Sequence, residues 1–366
     1  MRVLISGGGT GGHIYPAIAI ADALKSKNAE IEILFVGANG RMEMTKVPAA
    51  GYDIKGLDIA GFQRRLTLKN LSFPFKVMKS LKAASRIIRH FKPDVGVGVG
   101  GYASGPAMYS LSGKGIPLLL QEQNSYPGIT NKILASKAQT ICTAYPEMSQ
   151  FFPQEKIEFT GNPVRTDLLE VASKRDEAYS HFGLDPKKKT CLIVGGSLGA
   201  LTLNKAMDAG CSQLESVDNL QFVWQIGAAH EERFMASDTA KLSHVKATKF
   251  IDRMDLAYAA GDLMIGRAGA LTISELSIVG MPTILVPSPN VSEDHQTKNA
   301  MALVNRDAAL LVKDADAQDT LITEAIRLSK DRALQQTLAS NVRQLAKPTA
   351  ADRIAELVLA LGNNKT

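Results

Sequence analysis

The chain has 366 residues, 45% hydrophobic and 21% charged, which suits two globular domains of ordinary size and excludes a disordered or fibrous protein. Its three cysteines, Cys142, Cys191 and Cys211, form neither paired spacings nor a CxxC, so a disulfide framework is excluded and a reducing compartment is expected. The formal net charge of +6 is local: nine Lys or Arg and no acid fall between Arg64 and Lys92, and no recognised nucleic-acid motif accompanies them, so no nucleic-acid partner is expected.

Val3-Leu4-Ile5 opens the chain as a buried-type strand, with no basic region and long apolar segment ahead of it, so a cytoplasmic location without a secretory signal is expected. The strand runs into Gly7-Gly8-Gly9-Thr10-Gly11-Gly12-His13 and a helical pattern from Pro16 to Leu24. Glycine lets a ligand approach the main chain, and a helix start presents unpaired N–H groups and a positive dipole end, so this turn is expected to cradle an anion. Gly7, Gly9 and Gly12 also satisfy G-x-G-x-x-G. However, the second strand, Ile31 to Val36, runs into Gly37-Ala38-Asn39-Gly40-Arg41 without the acid that a nicotinamide or flavin ribose requires. A short third strand follows between Gly51 and Ala60. Segment 62–92 then interleaves Leu66, Leu68, Leu71, Phe73, Phe75, Val77, Met78 and Leu81 with Arg64, Arg65, Lys69, Lys76, Lys79 and Lys82. That pattern fits an amphipathic helix on an anionic membrane surface, or an ordinary helix packed on the sheet with a solvated basic face.

Val95 to Val99 is the next buried-type strand and ends in a second glycine loop, Gly100-Gly101-Tyr102. The uncharged span from Val95 to Gly113 holds six glycines and Pro106, which make it a poor membrane helix. Pro117 to Leu120 delivers Gln121-Glu122-Gln123-Asn124 to the same edge, where ligands of open α/β sheets collect. Gly161-Asn162-Pro163-Val164-Arg165 reads as a domain boundary. The opening pattern then recurs 188 positions on, where Cys191 to Ala200 matches Val3 to Gly12 at five of ten positions. Strand signals follow at Phe222–Ile226, Ala247–Ile251, Leu263–Ile265 and Met281–Val286. Between the last two, Arg267-Ala268-Gly269 starts a helix whose first two turns carry Ala270, Leu271, Thr272, Ile273, Ser274 and Glu275. A carboxylate at Glu275 can accept both hydroxyls of a ribose, although most helix glutamates are simply solvated. C-terminal helices are expected from about Asp319 and Ala350, with Lys347-Pro348 as a linker. Such alternation implies parallel sheets, so the expected fold is α/β: two Rossmann-like domains, 1–163 and 164–348, facing a shared cleft. Asp314-Ala315-Asp316 matches the DxD of metal-using transferases but falls in a polar turn before a helix, where capping acids belong; no metal and no cofactor are expected.

Gly8 to His13, Gly100-Gly101-Tyr102, Glu122-Gln123-Asn124, Gly161 to Arg165, Gly195-Gly196-Ser197, Arg267 to Thr272 and Gln296 together resemble the MurG family, the N-acetylglucosaminyltransferases of peptidoglycan synthesis. The resemblance runs collinearly through essentially the whole chain, departing at Leu198, where many relatives carry Gln. It implies a GT-B fold with an N-terminal acceptor domain, a C-terminal donor domain, and a last helix, 349–366, that returns to the first. It implies inverting transfer of N-acetylglucosamine from UDP-GlcNAc to the muramoyl 4-hydroxyl of lipid I, at the cytoplasmic face of the membrane. The donor contacts it carries over are Thr10, Gly11, Gly12, Asn124, Arg165, Ser197, Ile251, the run from Ala270 to Glu275, and Gln296, with Gly100, Gly101 and Tyr102 on the acceptor side. By the same analogy the Ile251 main chain reads uracil, Glu275 the ribose, Ser197 and the loop amides the phosphates, and Asn124 and Gln296 the sugar. Inversion needs a base on the acceptor face. His13, whose intrinsic pKa suits neutral pH and whose helix-start position favours the neutral ring, is the first candidate, and Glu122 is its rival. The alternative activity is that of another GT-B transferase using a UDP-sugar on a lipid acceptor.

Overall fold

Strands made of unbroken apolar runs need cover on both faces, and a parallel sheet flanked by helices supplies it. A computed structural model describes residues 1–59, 73–196, 198–291 and 294–363 and falls into two units, Met1–Arg165 with Lys347–Thr366, and Thr166–Ala346.

In the first unit the strands are β1 (Arg2–Ser6), β2 (Glu32–Ala38), β3 (Asp53–Leu57), β4 (Val95–Gly98), β5 (Leu118–Glu122), β6 (Thr140–Thr143) and β7 (Ile157–Phe159). They form one parallel sheet in the order β3-β2-β1-β4-β5-β6-β7. Successive side chains of a strand point to opposite faces, and here both faces are core. Val3 and Ile5 pack with α1 (Gly11–Lys27), whereas Leu4 packs on the other side with Met108 and Leu111 of the Ser104–Ser112 helix. The C-terminal helix Ala350–Asn363 seats Ile354, Ala355 and Val358 in the α1 layer. Each fully buried Ile or Val there contributes about 1.5–3 kcal/mol, enough to hold the returning chain on this unit.

The second unit repeats the scheme with β8 (Lys189–Val194), β9 (Leu220–Gln225), β10 (Val245–Thr248), β11 (Leu263–Gly266), β12 (Thr283–Leu285) and β13 (Leu310–Leu311), in the order β10-β9-β8-β11-β12-β13. Leu192 and Val194 serve one core layer, Cys191 and Ile193 the other. In both sheets the strand order reverses beside the first strand, so the loops after β1 and β4, and after β8 and β11, lie where open α/β sheets bind ligands.

Two elements differ from expectation. β10 ends at Thr248 rather than reaching Ile251, because the Ile251 N–H leaves the ladder for the side-chain oxygen of Gln225, at 3.0 Å. Of segment 62–92, residues 60–72 lie outside the described residues, including Arg64, Arg65, Leu66, Leu68, Lys69 and Leu71. The described helix runs Phe73–Phe91. It buries Ser80, Ala84 and Ile88, one face at a spacing of four, yet leaves Phe75 74% and Met78 55% exposed. Its C-terminal half is thus an ordinary packed helix. Its N-terminal half is not.

Candidate active site

The sequence places His13 in the first turn of α1, and the local backbone explains its orientation. Thr10 at the N-cap is extended and its hydroxyl makes no capping bond; instead its Oγ1 lies 3.3 Å from His13 Nδ1. On the other side the ring edge meets the loop after β4: a Cβ added to Gly100 would stand 3.0 Å from His13 Nε2. Gly101 packs on the Gly8 backbone so closely that a side chain there would overlap the Gly8 carbonyl oxygen. The two glycine loops of this unit therefore interlock, and glycine at Gly101 is required by both that contact and its φ of +84°. Tyr102 stands exposed beside them.

The anion cradle expected at Gly7–Gly12 is already occupied in part by the protein itself. Glu43, only 1% exposed, accepts the Gly9 N–H at 3.0 Å and the Ala38 N–H at 2.9 Å, and its carboxylate fills the space that a side chain on Gly8 would need. Sequence reasoning missed this residue, since an acid five residues past a strand gives no sign that it turns back onto a loop 34 positions earlier.

Glu122 occupies the end of β5 and is 2% exposed. It accepts four hydrogen bonds: the Asn124 N–H and Nδ2 on Oε1, at 3.1 and 3.3 Å, and the Gly128 N–H and Asn131 Nδ2 on Oε2, at 3.1 and 2.9 Å. Burial pushes its carboxyl above the ordinary carboxylate range, and the same four N–H donors draw it back. This geometry makes Glu122 the anchor of the 123–131 segment rather than a base open to an acceptor. It also orients Asn124. Around it Gln121, Gln123 and Asn162 bond one another and the Val99 carbonyl, tying β5 to the boundary segment that carries Arg165.

In the second unit the Ala270–Val279 helix begins at Gly269 directly after β11 and brings Ala270 to Glu275 to one strand end. Glu275 is buried and accepts the Tyr258 hydroxyl at 2.9 Å. Ile251 donates its N–H to the side-chain oxygen of Gln225 at 3.0 Å. Gln225, another residue the sequence did not single out, also donates to the Gly196 carbonyl at 2.8 Å and so couples the loop after β8 to Ile251. Gln296 Oε1 accepts the Ser288 N–H at 2.9 Å, fixing the loop after β12. Ser197 lies outside the described residues. Asp314 of the DxD bonds Arg267 and accepts the Thr202 hydroxyl at 3.1 Å. A recess of about 330 Å³ lined by Phe182, Thr248, Phe250, Ile251 and Arg253 adjoins Ile251 but includes none of Ala270–Glu275. The larger recess of the first unit, about 800 Å³, opens by Tyr52, Arg86 and Phe91 at the N-terminal half of the sheet edge, away from His13.

Residues 3–143 match the glycosyltransferase family 28 N-terminal domain and residues 190–354 the family 28 C-terminal domain. The chain is 51% identical, over 100% of its length and 99% of the relative's, to the UDP-N-acetylglucosamine--N-acetylmuramyl-(pentapeptide) pyrophosphoryl-undecaprenol N-acetylglucosamine transferase of Parabacteroides distasonis. It is 52% identical, over 99% of its length and 97% of the relative's, to the protein of that name from Phocaeicola vulgatus. Among solved structures it is similar to that of Acinetobacter baumannii MurG, with a TM-score of 0.75 and 30% identity over 98% of this chain and 99% of that one.

Proposed function

The chain belongs to glycosyltransferase family 28 and, within it, to the MurG family, and from that premise we propose that it transfers N-acetylglucosamine from UDP-GlcNAc to the C4 hydroxyl of the muramoyl sugar of lipid I. The product is β-1,4-linked lipid II for peptidoglycan. The observation that carries this reading is the full-length match at about half identity to relatives named for that transfer.

The residues divide the work by unit. His13 takes the acceptor proton, with its ring held by the contact of 3.3 Å between Nδ1 and Thr10 Oγ1. Glu122 acts through Asn124, holding its amide for the donor sugar. Glu275 takes the ribose hydroxyls, the Ile251 main chain faces the base, and the glycine-loop amides with Arg165 meet the diphosphate as it leaves. No metal is assigned a step, and Asp314 serves to hold Arg267.

A polyprenyl-linked acceptor stays in the bilayer, so the enzyme must reach the membrane surface, and we assign it to the cytoplasmic face as a peripheral protein. No helix among the described residues is long and apolar enough to cross a membrane. Exposed Phe75 and Met78, with Lys76 and Lys82 on the same helix, supply an apolar and a basic component. Ile129 and Ile133 are exposed on the Ile129–Leu134 helix and Tyr109 on the Ser104–Ser112 helix, with Lys137 above the Tyr109 ring, which extends the same character. The test is incubation of the purified protein with UDP-GlcNAc and a short-chain lipid I, with mass spectrometry of the product. An acceptor heavier by one N-acetylhexosamine, β-1,4 linked, is expected; hydrolysis of UDP-GlcNAc without transfer overturns the proposal.

A further inference from the structure

Glu275 stands in the second turn of the Ala270–Val279 helix, where a carboxylate is ordinarily solvated, yet it is only 8% exposed. A carboxylate withdrawn from water must be hydrogen-bonded to stay there. The hydroxyl of Tyr258, on the Met254–Ala260 helix and itself 3% exposed, donates to Glu275 Oε2 at 2.9 Å. The phenol ring belongs to the apolar core of the second unit with Leu256, Leu276 and Met281, so it does not swing with the carboxylate but holds it. A ribose presents two hydroxyls side by side, and one carboxylate can accept from both only while its plane is kept in line with them.

We propose that Tyr258 is a positioning residue for nucleoside recognition: its hydroxyl sets the plane of the Glu275 carboxylate, so that preference for a ribose over a deoxyribose depends on a side chain that itself need not touch the nucleotide. The inference rests on the reading of Glu275 as the ribose ligand. It adds what the helix position alone does not, namely why this glutamate is buried and how its orientation is kept without substrate.

The test is calorimetric titration of UDP, 2′-deoxy-UDP and 3′-deoxy-UDP into the full-length wild type, Tyr258→Phe, Glu275→Gln and the double variant. Tyr258→Phe is expected to weaken UDP about 5- to 20-fold and the deoxy nucleotides less than about 2-fold, as loss of one charge-assisted contact requires. Glu275→Gln should erase the preference and make Tyr258→Phe silent in its background. Equal weakening of all three nucleotides by Tyr258→Phe, with the wild-type preference kept, overturns the positioning role and leaves Glu275 on the ribose. A wild type that binds UDP and its deoxy analogues alike overturns both assignments. The preference is a ratio measured on the same folded molecules, so a variant with a lower melting temperature still decides the question.

Discussion

Substitution of Glu122 separates an anchor from a base, because the two roles predict opposite pairs of effects. Its four donors do not weigh equally. Gly128 is exposed and Asn124 half-buried, so their N–H groups can turn to water once the carboxylate is gone, whereas Asn131 is buried and, although its Nδ2 keeps the bond of 3.1 Å to the Gln121 carbonyl, the N–H that faces Glu122 cannot. One stranded buried donor costs about 1–3 kcal/mol, and three lost bonds to a charged acceptor add to this what the relief of carboxylate desolvation does not return. Glu122→Ala should therefore destabilise the first unit by about 2–4 kcal/mol and Glu122→Gln by roughly half of that, since the amide keeps one acceptor oxygen. The only tryptophan, Trp224, lies in β9 of the second unit, so its fluorescence is blind to this loss. Hydrogen exchange across 122–131, together with far-ultraviolet unfolding in urea, reads it. Faster exchange confined to that segment, lower stability and weaker donor binding are expected. Unchanged exchange and stability with kcat reduced about 10²-fold or more would refute the anchor role and return Glu122 to the chemistry.

His13→Ala should lower kcat by about 10²–10⁴ with donor Kd unchanged, checked by steady-state kinetics beside calorimetry; near-normal turnover would remove it as the base. Lys76→Glu with Lys82→Glu should reduce cosedimentation with anionic vesicles, most at low salt, since screening acts over about 8–10 Å. Lys79 is left intact in that variant because it pairs with Asp58 at 3.1 Å and secures the chain after β3 to this helix, and equal vesicle binding by variant and wild type would show the basic face to be merely solvated. Asp255, buried between Lys174 and Arg253 at 2.9 Å each, has its carboxyl held well below the usual range by those hydrogen bonds. A depressed folded pKa adds stability above the unfolded value and loses it as pH falls, so Asp255→Asn should cost about 2–4 kcal/mol at pH 7 and progressively less below about pH 4, read through Trp224 fluorescence in urea. Turnover is expected to survive EDTA; loss with EDTA and recovery with manganese would place a metal in the reaction.

The parts legible from the amino-acid order are those set by neighbours in the chain. Unbroken runs such as Val3 to Ile5 and Cys191 to Val194 require cover on both faces, and glycines placed directly after them tolerate turns that other residues resist. The alternation of strands and helices, the glycine loops at strand ends and the placement of His13 and Glu275 in the helices that follow them came from that local order. Tertiary structure decided how these groups are held. Glu43 reaches Gly9 across 34 positions, Gln225 reaches Ile251 across 26, and Tyr258 reaches Glu275 across 17. It also distinguished two acids that look alike in sequence, each near a strand end: Glu122 is enclosed by four N–H donors, while Glu275 accepts the Tyr258 phenol. Burial and hydrogen-bond partnership depend on which distant segments the packed sheet brings alongside, and side-chain direction follows from that packing rather than from the residue's neighbours in the chain.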